Sequence, residues 1–150
     1  MKNFFSEPDF VELMVLHAGD NIGLLLEKGM LFSILVNISE VEFDPPLPEH
    51  IMETFKPITL FALAGYTYET TEIVDDNILE FEAGFGSESI GSVVRVPLYA
   101  IIQILVEDTP IYINLSRKID KEKVKSKIER SKNIFLSNPE NQKFLKKKKS

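Results

Sequence analysis

The sequence of 150 residues contains no cysteine and only two histidines. Without cysteine there are no disulfide bonds, thiol nucleophiles or zinc-thiolate sites, and a reducing cytoplasm is the favoured compartment. No apolar run approaches the roughly 20 residues that a membrane-spanning helix needs. The first residues also lack the basic start and cleavage site of a signal peptide. The sequence therefore predicts a soluble, cytoplasmic protein with no membrane partner.

Groups suited to catalysis or metal binding are scarce. His17 lies on the first predicted helix and His50 in a proline-rich connection, and neither shows the spacing of a metal site. The glycine-rich segment 84–91 lacks the lysine of a Walker loop, and a strand pattern follows it where a dinucleotide fold would have a helix. We therefore predict no metal, no cofactor and no catalytic residue, and a protein that binds rather than an enzyme.

Charge divides the chain into two parts. Residues 1–116 contain 19 acidic and 4 basic residues, whereas residues 117–150 contain 4 acidic and 13 basic residues. This predicts one globular domain over residues 1–116 and a basic, partly helical or flexible tail over residues 117–150. Because an acidic surface repels phosphate backbones, nucleic acid could be bound only through the tail.

Hydrophobic spacing predicts one long helix and then several short strands. The helix begins after Ser6 or Asp9 and ends near Gly29, with a break near residues 18–20. A second, short helix is predicted over residues 98–106, where apolar residues recur at helical spacing. Strands are predicted at residues 31–38, 58–65, 66–74, 78–85, 92–98 and 111–116.

The connections between these strands predict hairpins. Three prolines within residues 45–48 forbid a helix or central strand there and predict an extended connection. Gly84 and Gly86 predict a hairpin turn with a bulge or a close backbone approach. The economical architecture is an antiparallel, partly closed small barrel or sandwich. In strand 78–85 one face is core and carries Leu79, Phe81, Ala83 and Phe85.

The stretch FEAGFG, a short turn and VVRVPLYAI, within residues 81–101, resembles the central signature of the stringent starvation protein B (SspB) family. The order of elements over about residues 10–116 is also similar to that family. One departure is Ser87, which stands where the family has a second glycine. The residues that fit are Phe81, Ala83, Phe85, Gly86, Val94, Val96, Pro97, Leu98, Ala100 and Ile101.

The resemblance implies a fold and a function. The fold would be α+β, mainly β: a small, Sm-like, partly open antiparallel barrel with an N-terminal helix. The protein would be a homodimeric, non-enzymatic adaptor that binds ssrA-like degradation tags on other polypeptides and delivers them to the ClpXP protease. The tag-binding residues would be Leu47, Met52, Tyr66, Tyr68, Ala83, Gly84 and Phe85. The dimer interface would contain Phe10, Leu13, Met14 and His17.

Several alternatives stay open at this point. Phe85 could belong to the core, and the two tyrosines could be ordinary surface residues. Phe144, Leu145 and Lys146 match a ClpX-docking end, yet the family linker is long and often acidic whereas this tail is short and basic, so a solubilising tail is an alternative. A second function is binding of nucleic acid or acidic surfaces through the tail. A third is an enzyme that uses an apolar cavity in the domain.

Overall fold

A computed structural model describes residues 3–75 and 77–117. They form a mixed α+β fold with an N-terminal helix and two antiparallel four-stranded sheets. They group into two compact units, residues 14–115 and residues 3–13 with 116–117. The predicted docking end at Phe144, Leu145 and Lys146 lies outside the described residues. Among the described helices, none has the length and hydropathy that crossing a bilayer requires.

Helix α1 spans Pro8–Glu27 without the predicted break. Ala18 and Ile22 are both fully buried, so core packing holds the helix together across the predicted break at residues 18–20. The helix ends at Glu27, near Gly29 as predicted, and the φ of 66° at Gly29 is readily adopted only without a side chain. The N–H groups of Gly29 and Met30 donate to the carbonyls of Leu26 and Leu25, which satisfies the last turn.

Eight strands make up the two sheets. The strands are β1 Phe32–Asn37, β2 Glu42–Asp44, β3 Ile58–Leu63, β4 Glu72–Val74, β5 Ile78–Phe85, β6 Ile90–Pro97, β7 Ile101–Val106 and β8 Thr109–Ile113. Sheet A has the order β3-β1-β7-β8, and sheet B has the order β2-β6-β5-β4. The antiparallel pairing was predicted correctly, but the described strands form two sheets and no closed barrel.

The strand predicted over residues 66–74 is wrong in its first half. Gly65 has a φ of 58°, and the chain turns there into the short helix α3, Gly65–Glu69, before β4 begins. Tyr68 on this helix donates a hydrogen bond to the carbonyl of Leu25 and packs edge-on against the ring of Phe32. The alternating pattern of residues 66–74 suggested a strand, but contacts of Tyr68 with Leu25 and Phe32, both distant in sequence, hold its first half as a helical turn.

The helix predicted over residues 98–106 is also wrong, because this segment forms a short 3-10 turn, Leu98–Ala100, followed by strand β7. Leu35 pairs with Gln103 but Val36 pairs with Ile101, so β7 contains one extra residue at this point. The bulge turns the strand locally. As a result Ile101 and Ile104, three residues apart, both reach the core, which imitates helical spacing.

The inner faces of the two sheets meet in a core that is rich in phenylalanine. Phe61 in β3 contacts Phe81 in β5, with ring centroids 5.7 Å apart. Phe55, which follows the short helix α2, Glu49–Met52, lies 5.7 Å from Phe43 in a stacked arrangement. These contacts join residues of sheet A, sheet B and the proline-rich connection, so the core depends on pairs that are far apart in sequence.

The smaller unit contains its own aromatic cluster. Phe4 lies 4.7 Å from Phe10 between ring centroids, and Phe5 lies 5.9 Å from Phe10. The guanidinium carbon of Arg117 lies 5.4 Å from the ring centroid of Phe5, a cation–π distance. The backbone N–H of Arg117 also donates to the carbonyl of Phe5 at 2.8 Å.

Candidate functional site

Two glycines lie directly opposite each other on the outer face of sheet B. The four-residue turn between β5 and β6 sets the register so that Gly84 faces Gly91. The same face carries exposed Glu82, whereas the neighbouring Phe81 points inward and is 1% exposed. A Cβ built on Gly91 would meet no atom within 4 Å. The glycine pair therefore forms a floor of bare backbone that opens outward at Gly91, whereas at Gly84 the Cβ position lies 3.4 Å from the carbonyl oxygen of Ser89.

Side chains and turns around this floor border an open groove of about 460 Å³, which we name the glycine groove. Tyr66 of α3 borders it on one side, and Asp44 and Pro45 at the end of β2 border it on the other. The two charged residues in the lining are acidic, Asp44 and Glu82. The lining comprises Asp44, Pro45, Tyr66, Thr67, Glu82, Ala83, Gly84, Ser89, Gly91, Ser92 and Val93.

Backbone groups at the groove face strand edges that the described strands leave uncovered. The N–H of Glu82 donates to the Thr70 hydroxyl, so it points away from β6. Because direction alternates along a strand, the N–H and C=O of Gly84 point the same way. β4 pairs with β5 only as far as Glu80, and β2 pairs with β6 only from residue 93 onward. Gly84 and its partner Gly91 thus offer main-chain donors and acceptors.

One hydrogen bond in the groove joins the aromatic residue Tyr66 to the acidic residue Glu82. The Tyr66 hydroxyl donates to the Glu82 carboxylate at 2.9 Å. This hydrogen bond, together with the negative charge of Glu82, raises the pKa of Tyr66 above its ordinary value. Tyr66 as a whole is 62% exposed. Its hydroxyl is therefore anchored while its face stays available for contact.

A single arginine organises the carboxylates beside the groove. Arg95 donates to Glu80 at 2.9 Å and lies 3.7 Å from Asp44. These contacts, the hydrogen bond to Glu80 first, raise the pKa of Arg95. The carboxylates that Arg95 contacts are thus Glu80 and Asp44, whereas Glu82 is the carboxylate that accepts the hydrogen bond from Tyr66.

The Tyr66–Glu82 bond predicts a measurable alkaline titration. Since the neutral phenol is the donor, its contribution to stability is present below the ordinary pKa of tyrosine and is lost as pH rises through the raised pKa. Glu82→Gln should lower the Tyr66 pKa toward its ordinary value. Tyrosinate absorbance, measured as pH is raised, follows this titration. The part of the absorbance change that wild type shows and Tyr66→Phe lacks belongs to Tyr66. An unchanged titration in Glu82→Gln would contradict the assignment.

Of the residues predicted to bind a tag, three converge on the groove: Tyr66, Ala83 and Gly84. The others lie elsewhere. Leu47 is buried in the core at 7% exposure, and Met52 is half-buried in α2. Their side chains do not line the groove, which Asp44 and Pro45 border on this side.

Phe85 and Tyr68 also lie away from the groove. Phe85 is half-buried and packs against Phe43 and Phe55, with ring centroids 5.6 Å and 5.8 Å away. Tyr68 is held against Phe32. Phe85 helps to position β5 and Tyr68 helps to position α3, the two elements that carry part of the groove lining.

Sequence reasoning missed Gly91, the second half of the floor. The sequence did contain the information: if the turn comprises residues 86–89, Phe85 pairs with Ile90 and Gly84 pairs with Gly91. The length of this turn was not recognised from the sequence. Asp44 and Ser89 were missed because their proximity to the groove depends on where β2 ends and how the turn folds.

The predicted dimer residues differ in exposure. Leu13 is 46% exposed and His17 is exposed, whereas Met14 is buried at 7% exposure within the monomer. Phe10 is half-buried beside Phe4. Met14 therefore presents little surface to a second copy. Within residues 3–75 and 77–117, no three His, Asp or Glu side chains lie together as a metal-binding group.

Comparison with models of known protein families and with curated proteins finds no match. The SspB-like signature within residues 81–101 therefore stays a prediction.

Proposed function

We propose that this protein is a non-enzymatic adaptor that binds an extended segment of another polypeptide in the glycine groove. The observation that carries the proposal is the opposed pair Gly84 and Gly91 beneath the exposed ring of Tyr66. Bare backbone at the floor of a groove admits the main chain of a ligand more closely than any side chain would allow. An extended peptide has the shape that such a narrow floor accommodates.

Main-chain hydrogen bonds would supply much of the affinity. Gly84 faces the uncovered edge beyond β4 and Gly91 faces the uncovered edge beyond β2, and an extended peptide can pair with one such edge as an added strand does. The Tyr66 ring would cover the bound chain from one side. Tyrosine suits this role because it offers a large contact area at a small cost in conformational entropy.

The charge of the groove restricts which segment is bound. Asp44 and Glu82 lie at its walls, and the lining contains no Lys, Arg or His. An acidic side chain placed between them would be repelled, so the bound part of a tag should be neutral or basic.

Delivery to a protease follows from the SspB resemblance and completes the proposal. The bound polypeptide would be passed to the ClpX unfoldase of ClpXP, with Phe144, Leu145 and Lys146 as the docking end. A homodimer would present two grooves and gain affinity for assemblies that carry several tags.

Fluorescence anisotropy with a labelled ssrA-type peptide tests the binding step. We expect saturable binding by the wild-type chain, and about tenfold weaker binding by Tyr66→Ala, since an aromatic contact contributes on the order of 1 kcal/mol or more. Leu24→Ala, at a position 54% exposed on α1, is the matched control and should bind as wild type does. Absence of saturation at high micromolar protein would remove tag recognition.

One alternative function is supported by a separate feature of the sequence, the 13 basic residues within positions 117–150. Such a segment could bind nucleic acid or another acidic surface. A labelled RNA in the same anisotropy assay separates the two: tail-mediated binding would weaken steeply with salt and be insensitive to Tyr66→Ala. Binding in the groove would show the opposite behaviour.

A further inference from the structure

The outer face of sheet B is acidic. Strand alternation places Glu80 and Glu82 of β5 on this face, opposite the buried side chains of Leu79 and Phe81. Residues paired across neighbouring strands point to the same side of a sheet, so the register adds charged residues from β2, β4 and β6. The charged residues of this face are Glu42, Asp44, Glu72, Glu80, Glu82 and Arg95. Arg95 is thus the one cation among the described residues of these strands' outer face.

A first row of paired residues across this face contains its own cation. Arg95 of β6 lies directly between its partners Glu42 of β2 and Glu80 of β5. The guanidinium donates to Glu80 at 2.9 Å and also lies 3.7 Å from Asp44, which belongs to the next row. In this row a positive side chain at the centre therefore balances the carboxylates beside it.

The next row has the same acidic flanks but an apolar centre. Val93 lies directly between its partners Asp44 of β2 and Glu82 of β5. Because neighbouring strands lie about 4.8 Å apart, the backbone positions of the two flanking residues are roughly 10 Å apart. All three residues line the glycine groove. The place that Arg95 fills in the first row is therefore taken by a neutral side chain in the groove.

The two carboxylates of this second row are only partly balanced by positive charge. The Asp44 side chain is 68% exposed, and its ion pair with Arg95 is longer than a direct hydrogen bond. Glu82 accepts its hydrogen bond from the Tyr66 hydroxyl, which brings no positive charge. The described lining of the groove contains no Lys, Arg or His. A cation above Val93 would therefore be attracted from both sides.

The groove also has room for the apolar stem of a long basic side chain. The Gly84–Gly91 row lies two residues, about 7 Å, farther along the strands than Val93, a distance that a long side chain of a bound peptide can span. Its methylene groups would lie along Val93 and the ring of Tyr66, as the stems of lysine and arginine do on apolar surfaces. The tyrosine face would attract the cation as well.

We propose that the glycine groove selects extended peptides that carry a lysine or arginine, whose cation lies above Val93 between Asp44 and Glu82. This inference rests on the proposed function, because it names the side chain that a peptide bound on the glycine floor presents to the acidic walls. Glu82 and Asp44 are then specificity-determining residues. Main-chain pairing supplies affinity that does not depend on them.

Fluorescence anisotropy of the full chain tests the proposal with substituted peptides. Each position of a labelled ssrA-type peptide is replaced in turn by lysine and by norleucine, which keeps an apolar stem and lacks the charge. We expect a position at which the lysine peptide binds about tenfold more tightly than the norleucine peptide, since ionised partners form stronger hydrogen bonds. Equal affinities of the lysine and norleucine peptides at every position would overturn the proposal.

Two matched variants separate the groove from general attraction of a cation to an acidic protein. Glu82→Gln removes a carboxylate of the groove, whereas Glu72→Gln removes an exposed carboxylate on the same face but outside the lining. We expect the preference for lysine over norleucine to fall to about threefold or less in Glu82→Gln and to stay about tenfold in Glu72→Gln. An unchanged preference in Glu82→Gln, or an equal loss in both variants, would overturn the proposal.

The norleucine peptides distinguish failure of this inference from failure of the proposed function. Saturable binding of lysine and norleucine peptides with equal affinity would overturn the selection of a cation and leave peptide binding in the groove intact. Absence of saturable binding by every peptide would overturn both.

Discussion

Phe81→Ala should lower the free energy of unfolding by about 3–5 kcal/mol, the range for removing a large aromatic side chain from a core. Phe81 is 1% exposed and its ring contacts Phe61 of the other sheet. Because the sheets are held by their paired strands, they cannot close around the cavity left behind. Loss of this side chain therefore removes apolar contacts from both sheets at once.

Urea denaturation measures this effect through the transition midpoint. The slope of the transition should stay constant, since the surface exposed on unfolding changes little. Leu16→Ala is the matched control, because Leu16 is 57% exposed and its truncation should cost less than about 1 kcal/mol. A loss below about 1 kcal/mol in Phe81→Ala would contradict the packing of the two inner faces.

Gly91→Val should block the glycine groove without harming the fold. A Cβ at position 91 meets no atom within 4 Å, so the new side chain fills groove space instead of clashing with the protein. Valine also favours a strand more than glycine does, and stability should stay unchanged or rise by roughly 0.5–1 kcal/mol. We expect the affinity for the ssrA-type peptide to fall at least about tenfold, because a main chain can no longer reach the floor.

The pairing of unchanged stability with lost binding is the informative result. Gly23→Ala provides a control, since a Cβ at this exposed helix position also meets no atom within 4 Å. That variant should gain stability, because alanine favours a helix over glycine, and should bind peptide as wild type does. If Gly91→Val bound peptide as tightly as wild type, the ligand would have to lie elsewhere on the protein.

The burial pattern of β5 was predictable because it is a local property. Leu79 and Phe81 are buried and Glu82 is exposed, as strict alternation requires. The hairpin after Phe85 was likewise predictable from its glycines. Strand β7 was not, since Ile101 and Ile104 share the inner side only through a bulge that appears when β7 pairs with β1.

The candidate site also combines features that are local in sequence with features that depend on distant partners. Gly84 was selected from the sequence, because a strand glycine suggests the close approach of another backbone. The part played by Gly91 depends on which residue lies across from Gly84, and Tyr66 reaches the groove only because Gly65 turns the chain into α3. Phe85 belongs to the same signature, but its ring packs against Phe43 and Phe55 and does not line the groove.

By itself, the amino-acid sequence determined the absence of thiol chemistry, the acidic character of residues 1–116, the long first helix and the inward and outward faces of β5. These properties follow from composition and from the short periods of helix and strand. Only the tertiary structure decided that the strands divide into two sheets, that β7 is a strand and that Gly84 and Gly91 share one groove. The reason is that strand register and bulges are set by partners distant in sequence, and one residue of register moves a side chain to the opposite face.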